Sequence, residues 1–141
     1  MSQGISLTET VLVLAVLGIL SGIALPRLAG TLDTIEVDAA ANHLVAAHQR
    51  ARIMAITRSQ VLVLTVENSR VAIRQRQPEL QLWSEEGPSA RRVTLTGPAR
   101  EFIFSPEGIT LGLSNATLQL ARGNAHRSVV VSRLGRIRVV R

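Results

Sequence analysis

The sequence predicts an α+β fold: one long N-terminal helix, its first half suited to a membrane, packed on a C-terminal antiparallel β-rich head. Two observations carry this. An apolar run near the N-terminus leads into a stretch with three- and four-residue apolar spacing, the mark of a helix with one buried face. After about residue 57 the period shortens, and strand-like segments alternate with turn residues. At 141 residues the chain has room for one small domain and a helical appendage.

The first element is the apolar run. From Val11 to Leu25 only Ser21 and two glycines interrupt it, and no basic residue precedes Arg27. With Ile5 and Leu7 ahead of it, the run approaches the roughly 20 residues that cross a bilayer. A cleaved secretory signal would begin with basic residues and end in a small-residue cleavage site. "MSQG" has no Lys or Arg and "SGIALPRL" is a poor site of that kind, so the run reads as a retained membrane helix. Glu9 is its anomaly. A carboxylate inside a membrane helix costs about 2.5–3.5 kcal/mol at the centre, less near an end, and normally has a partner. Nothing basic lies near it in sequence. A free α-amine would serve, and one would exist if the chain were cut after Gly4.

Beyond Pro26 the helix resumes. Val37, Ala40, Leu44, Ala47, Ala51 and Met54 form one apolar stripe, with Asp33, Glu36, Asn42, Gln49 and Arg50 largely off it. Acids early and Arg50, Arg52 and Arg58 late suit the helix dipole. The expectation is one helix from about Ser6 to Thr57, kinked or locally broken at Pro26.

Nine short segments follow: "QVLVLTV", "RVAIRQR", "LQLW", "RRVTL", "EFIF", "ITLGL", "TLQLA", "SVVVS" and "RIRVV". Asn68-Ser69, Gly87-Pro88, Gly97-Pro98, Pro106-Glu107-Gly108, Ser114-Asn115 and Gly123-Asn124 separate them as turns. Regular short strands with tight turns imply antiparallel sheets.

"G-ISLTE" resembles the class III signal of type IV pilins and type II secretion pseudopilins, commonly G-FTLIE. Ile5 stands where Phe is usual, and Thr8 where an apolar residue is usual. The head carries the resemblance further. "ANHLVAAHQRARIMAITRSQVLVL", "FIFSPEGITLG" and "SVVVSRLGRIRVVR" look like the helix-to-strand junction, the Phe-x-x-x-Gly turn and the closing strand pair of the GspH/FimT branch. The resemblance spans nearly the whole chain and implies a pilin-like fold. It implies a leader at residues 1–4, a membrane-spanning helix at 5–25, a helix continuation at 26–57 and a periplasmic β-rich domain at 58–141. Prepilin peptidase would cut between Gly4 and Ile5, and the new N-terminus would be methylated. Glu9 would pair with the N-terminal amine of a neighbouring subunit in a filament, and Pro26 matches the proline that often ends the apolar stretch. The partners implied are other pilins or pseudopilins, the peptidase and the inner membrane, with no small-molecule substrate and no cofactor.

Composition narrows the chemistry. The absence of cysteine excludes a disulfide framework and thiolate sites. His43, His48 and His126 have no metal-ligand spacing, and surface or capping roles are expected for them. No nucleophile elbow and no phosphate-cradling glycine loop is present. Glu85-Glu86 reads as a solvated turn, and Trp83 as a half-buried strand residue. Nothing here suggests an enzyme.

The charge is unevenly distributed. Net charge is +6 and every basic residue is Arg. Residues 1–107 balance ten arginines against ten acids, while residues 108–141 hold Arg122, Arg127, Arg133, Arg136, Arg138 and Arg141 without an acid. Arg136 and Arg138, two apart, would project from one face of a strand, with Ile137 and Val139 turned to a core and Gly135 opening the strand. Such guanidinium groups can engage phosphates, and Arg133 and Arg141 extend the track. In FimT-type minor pilins a Gly-Arg-x-Arg tail is associated with DNA binding during natural transformation. The resemblance therefore implies two functions: an H-type minor pseudopilin of type II secretion, or a minor pilin that binds duplex DNA. Charged residues on a terminal edge strand also discourage edge-to-edge pairing, which needs no ligand.

Overall fold

The β-rich part of the chain is built on two antiparallel sheets. The computed structural model describes residues 6–112, 115–133 and 135–141. Gly4 and Ile5, the expected processing site, lie outside the described residues, as does Ser114 of one expected turn. The chain divides into two compact units between Leu32 and Asp33.

Helix α1 spans Leu7–Arg58. Ser6 caps it: its Oγ accepts the Glu9 N–H at 3.2 Å, and its carbonyl accepts the Thr10 N–H at 3.1 Å. The helix runs without interruption through position 26, so the local break expected at Pro26 is not present. In the first unit, the described side chains from Ser6 to Leu32 are solvent-exposed. An 18-residue window there has a mean hydropathy of 2.2, long and apolar enough to cross a membrane.

In the second unit, α1 presents Val37, Ala40, Ala41, Leu44, Ala47, His48, Ala51 and Ala55 to the core. The small alanines let the helix approach the sheets closely. Met54, expected on this stripe, is only partly buried. The first sheet has strand order β3-β2-β1-β5-β6 and the second β4-β7-β8-β9. Their ranges are β1 Leu62–Val66, β2 Arg70–Gln75, β3 Leu80–Glu86, β4 Thr94–Thr96, β5 Arg100–Phe104, β6 Thr110–Leu111, β7 Ala116–Arg122, β8 Ala125–Val131 and β9 Ile137–Val140. Each of the nine apolar segments overlaps one strand. β1 is central to its sheet, with Leu62 opposite both Gln75 and Phe104. Leu62, Val63, Leu64 and Val66 bury both of its faces, and only Thr65 is partly exposed.

Polar contacts join the sheets. The Asn68 side-chain oxygen, in the β1–β2 turn, accepts the Leu95 N–H of β4 at 2.8 Å. The Thr110 hydroxyl of β6 donates to the Arg133 carbonyl, in the turn before β9, at 3.0 Å. A short 3-10 helix, Pro88–Arg91, carries the chain between the sheets. Glu85 and Glu86 do not form the expected solvated turn but end β3; the Gly87 N–H donates to the Ser69 carbonyl at 2.9 Å, one step beyond the Arg70–Glu86 pair, and the chain changes direction only in the 3-10 helix.

Candidate functional site: an exposed apolar helix and a charged edge strand

The N-terminal candidate is Glu9. It occupies the first turn of α1, where the helix dipole and the Ser6 cap favour a carboxylate locally. Among the described residues, no cation pairs with that carboxylate. Around it Leu7, Val11, Leu12 and Val13 are all exposed. A single acid thus sits in an apolar surface with no counter-charge among the described residues.

The C-terminal candidates are the arginines. The structure divides the six acid-free arginines in a way their sequence positions concealed. Arg122 and Arg127 point to the helix: Arg122 Nε lies 2.9 Å from Asp33 Oδ1, and Arg127 donates to both Asp38 oxygens, at 2.5 and 3.1 Å. They are half of two helix-to-sheet clamps rather than free positive surface. Arg136 precedes β9, and Arg138 lies within it opposite Val130; both are exposed. Neither is ion-paired among the described residues, and the same holds for exposed Arg141, which follows the strand. Arg133 sits in the preceding turn, tied to Thr110 through its carbonyl. Gly135, buried at φ 73°, makes the tight entry to the strand, its N–H donating to the Ser132 carbonyl at 3.0 Å. Val139, expected against the core, is 38% exposed on β9, the sheet's outer strand, which no further strand covers among the described residues.

The remaining polar clusters satisfy themselves. A cavity of about 480 Å³ on the first sheet is lined by Arg70, Arg74, Glu79, Gln81 and Glu101 among others. Arg74 bonds Glu79 at 2.6 Å and Glu101 at 2.7 Å, and Arg70 bonds Ser84 at 2.8 Å and also Gln81. His43 pairs with Glu85 at 2.7 Å, and the Arg50 guanidinium covers the half-buried Trp83 ring at 4.8 Å. His48 is the surprise. Expected at the surface or a cap, it is buried at 2% exposure between Phe102 and Phe104, ring centroids 5.8 and 4.9 Å away. Burial lowers its pKa to about 4, and nearby Arg52 adds to the effect. The signal that would have found it is its position in the stripe, four residues after Leu44 and three before Ala51.

An exposed apolar helix continuous with a helix-backed pair of antiparallel sheets is the arrangement that comparison tests. The family described as Type II transport protein GspH matches residues 40–135, which is most of the chain. The chain belongs to the GspH family. A relative from Thermus thermophilus, described as pilin-like protein PilA1, is 31% identical over 156 residues, covering 97% of each chain. Crystal structures of the Pseudomonas aeruginosa type IV minor pilin FimU share the fold. One has a TM-score of 0.63 at 18% identity, covering 75% of this chain and 89% of that one. The other has a TM-score of 0.60 at 17% identity, covering 74% and 92%. This GspH-family chain is therefore a minor pilin or pseudopilin with the pilin fold, of a kind that assembles with other pilins into filaments.

Proposed function

We propose that the chain is an H-type minor pseudopilin of a type II secretion system. In this reading prepilin peptidase removes residues 1–4 and methylates Ile5. Residues 5–25 hold the subunit in the inner membrane, residues 26–57 continue the helix, and the β-rich head, 58–141, stands in the periplasm. The subunit then enters a pseudopilus that drives protein export, a structural part with no catalytic role and no small-molecule substrate. The observation that carries this is Glu9, a lone carboxylate in an exposed apolar helix with no cation beside it among the described residues. Packed among other helices, that group is costly unless a partner supplies the charge. A neighbour's N-terminal amine does so, and supplies it only in the assembled state.

The experiment is Glu9→Leu. Membrane fractionation should find the variant inserted as before, and sheared filaments should lack it. Incorporation at the unsubstituted level would remove the assembly role of Glu9.

A second reading has its own observation. Arg136 and Arg138 are exposed, unpaired among the described residues, and far from any acid in sequence. They support a type IV pilus minor pilin that contacts duplex DNA through its phosphates. The pilin-like and type IV minor pilin descriptions of its relatives favour the same side. The salt dependence of DNA binding separates the two readings.

A further inference from the structure

β9 pairs with β8 alone among the described residues and is the outer strand of its sheet. Its ladder determines which backbone groups remain open. The Ser132 N–H donates to the Arg136 carbonyl at 2.8 Å, so these two form a hydrogen-bonded pair. Bonded and non-bonded pairs alternate along an antiparallel ladder. Arg138 and Val140 therefore turn their N–H and C=O groups to β8, and Ile137 and Val139 turn theirs to the open edge.

The side chains of those two residues continue the core face. Directly opposite them stand Val131 and Val129, both 0% exposed. Ile137 still packs against the core, but Val139 is left partly open. The other face of β9 carries Arg138 and exposed Val140, with Arg136 just before the strand. The edge thus offers open hydrogen-bonding groups, an unfinished strip of core and adjacent guanidinium groups.

We propose that β9 is a docking edge for an extended acidic segment of another protein, which adds to the second sheet as a further strand. A strand alternating acidic and apolar residues meets both faces at once. Its acids lie beside Arg136 and Arg138, its apolar side chains cover Val139 and Ile137, and its backbone takes up the open groups. Two β9 edges do not pair with each other, because they would bring arginine against arginine with no acid in residues 108–141 to separate them. Duplex DNA would engage the arginines but leave the outward backbone groups unpaired and the exposed part of Val139 uncovered. The arginines then act as a selective guard: they repel like edges and admit a complementary one. The inference concerns the head alone and stands whether or not Glu9 serves assembly.

The test uses the full chain in detergent micelles and a labelled seven-residue peptide alternating glutamate and valine, followed by fluorescence anisotropy. A lysine–valine peptide is the control. The glutamate peptide should bind saturably and the lysine peptide should not, with Arg138→Glu reversing the preference. Val139→Pro deletes an outward N–H and spares the bonds to β8, a placement that edge strands tolerate. It should weaken binding at least about tenfold, the equivalent of about 1.4 kcal/mol. Should that variant misfold, amide exchange in the unsubstituted chain reads the same feature. Saturating peptide should slow exchange at Ile137 and Val139 but not at Arg138 or Val140. Binding with no slowing at Ile137 and Val139 would reduce the contact to charge and overturn the proposal. So would failure of the peptide to bind while a duplex oligonucleotide does.

Discussion

Arg122, at the end of β7, donates from Nε to Asp33 Oδ1 at 2.9 Å and from Nη1 to the Arg91 carbonyl at 2.7 Å. One side chain so connects the helix, the second sheet and the 3-10 segment between the sheets. Gly123, next in the chain, has φ 53°, and a Cβ there would collide with the Asp33 carboxylate. The glycine is thus required both by the turn and by the clamp beside it. Five residues further along the chain on each side, Asp38 of α1 and Arg127 of β8 repeat the contact.

The clamp predicts a coupling energy. Both side chains of the Asp33–Arg122 pair are about one quarter exposed, with relative accessibilities of 26% and 22%, so screening is partial and a hydrogen bond between charged groups retains value. Asp33→Ala should destabilise the head by about 1–2 kcal/mol. A double-mutant cycle with Arg122→Leu, read by denaturant unfolding of the full chain in micelles, should return about 1 kcal/mol of coupling. Additive effects of the two substitutions would mean the ion pair contributes nothing.

His48 predicts an acid limb. Unfolded, its imidazole takes a proton near 6.5; folded, only near about 4, first because burial between the two phenylalanines penalises the charge and second because Arg52 repels it. Between those values the unfolded state binds more protons. The stability contributed is complete above pH 6.5 and is lost as pH falls towards 4. The loss approaches about 1.4 kcal/mol per pH unit, about 3 kcal/mol across the window. His48→Leu should flatten this limb. It also removes Nε2, a buried atom with no hydrogen-bond partner among the described residues. Unfolding curves with the same acid slope in both proteins would show that another group controls it.

The parts of this fold that were legible in the sequence are those set by near neighbours. Val37, Leu44 and Ala51 announce a helix face by spacing alone, and short apolar runs between glycine and proline turns announce strands. Which strand joins which sheet depends on distant pairings. Nothing near Leu95 says that β4 leaves its predecessors to pair with Leu120 of β7. The partners of the other arginines are hidden for the same reason. Asp33 and Arg122 are 89 residues apart, so nothing in the acid-free C-terminal third showed that Arg122 and Arg127 are committed to acids of the helix. Glu85 was misread because acids beside Gly87-Pro88 resemble a turn, whereas its partner His43 lies across a helix-to-sheet contact. Of the candidate sites, the position of Glu9 in an apolar run was plain. Arg136 and Arg138 were visible as a pair; the open backbone beside them followed only from the ladder of β8 and β9.

The two arginines supply the last prediction, which separates export from DNA capture. If Arg136 and Arg138 each contact one phosphate, each releases counterions on binding, and the affinity for duplex DNA falls with a log–log salt slope of about −0.9 per contact. Titration of the full chain at several salt concentrations should then give a steep slope, and Arg136→Ala with Arg138→Ala should flatten it by about two units. Arg127→Ala serves as the control for charge alone. Its guanidinium is held by Asp38, so its loss should leave the slope unchanged although the net charge falls by the same one unit as each tail substitution. Equal effects from Arg127 and the tail arginines would indicate attraction to a basic surface in general and no built site. An absence of binding at low salt would leave the secretion reading in place, with the β9 arginines acting on protein partners alone.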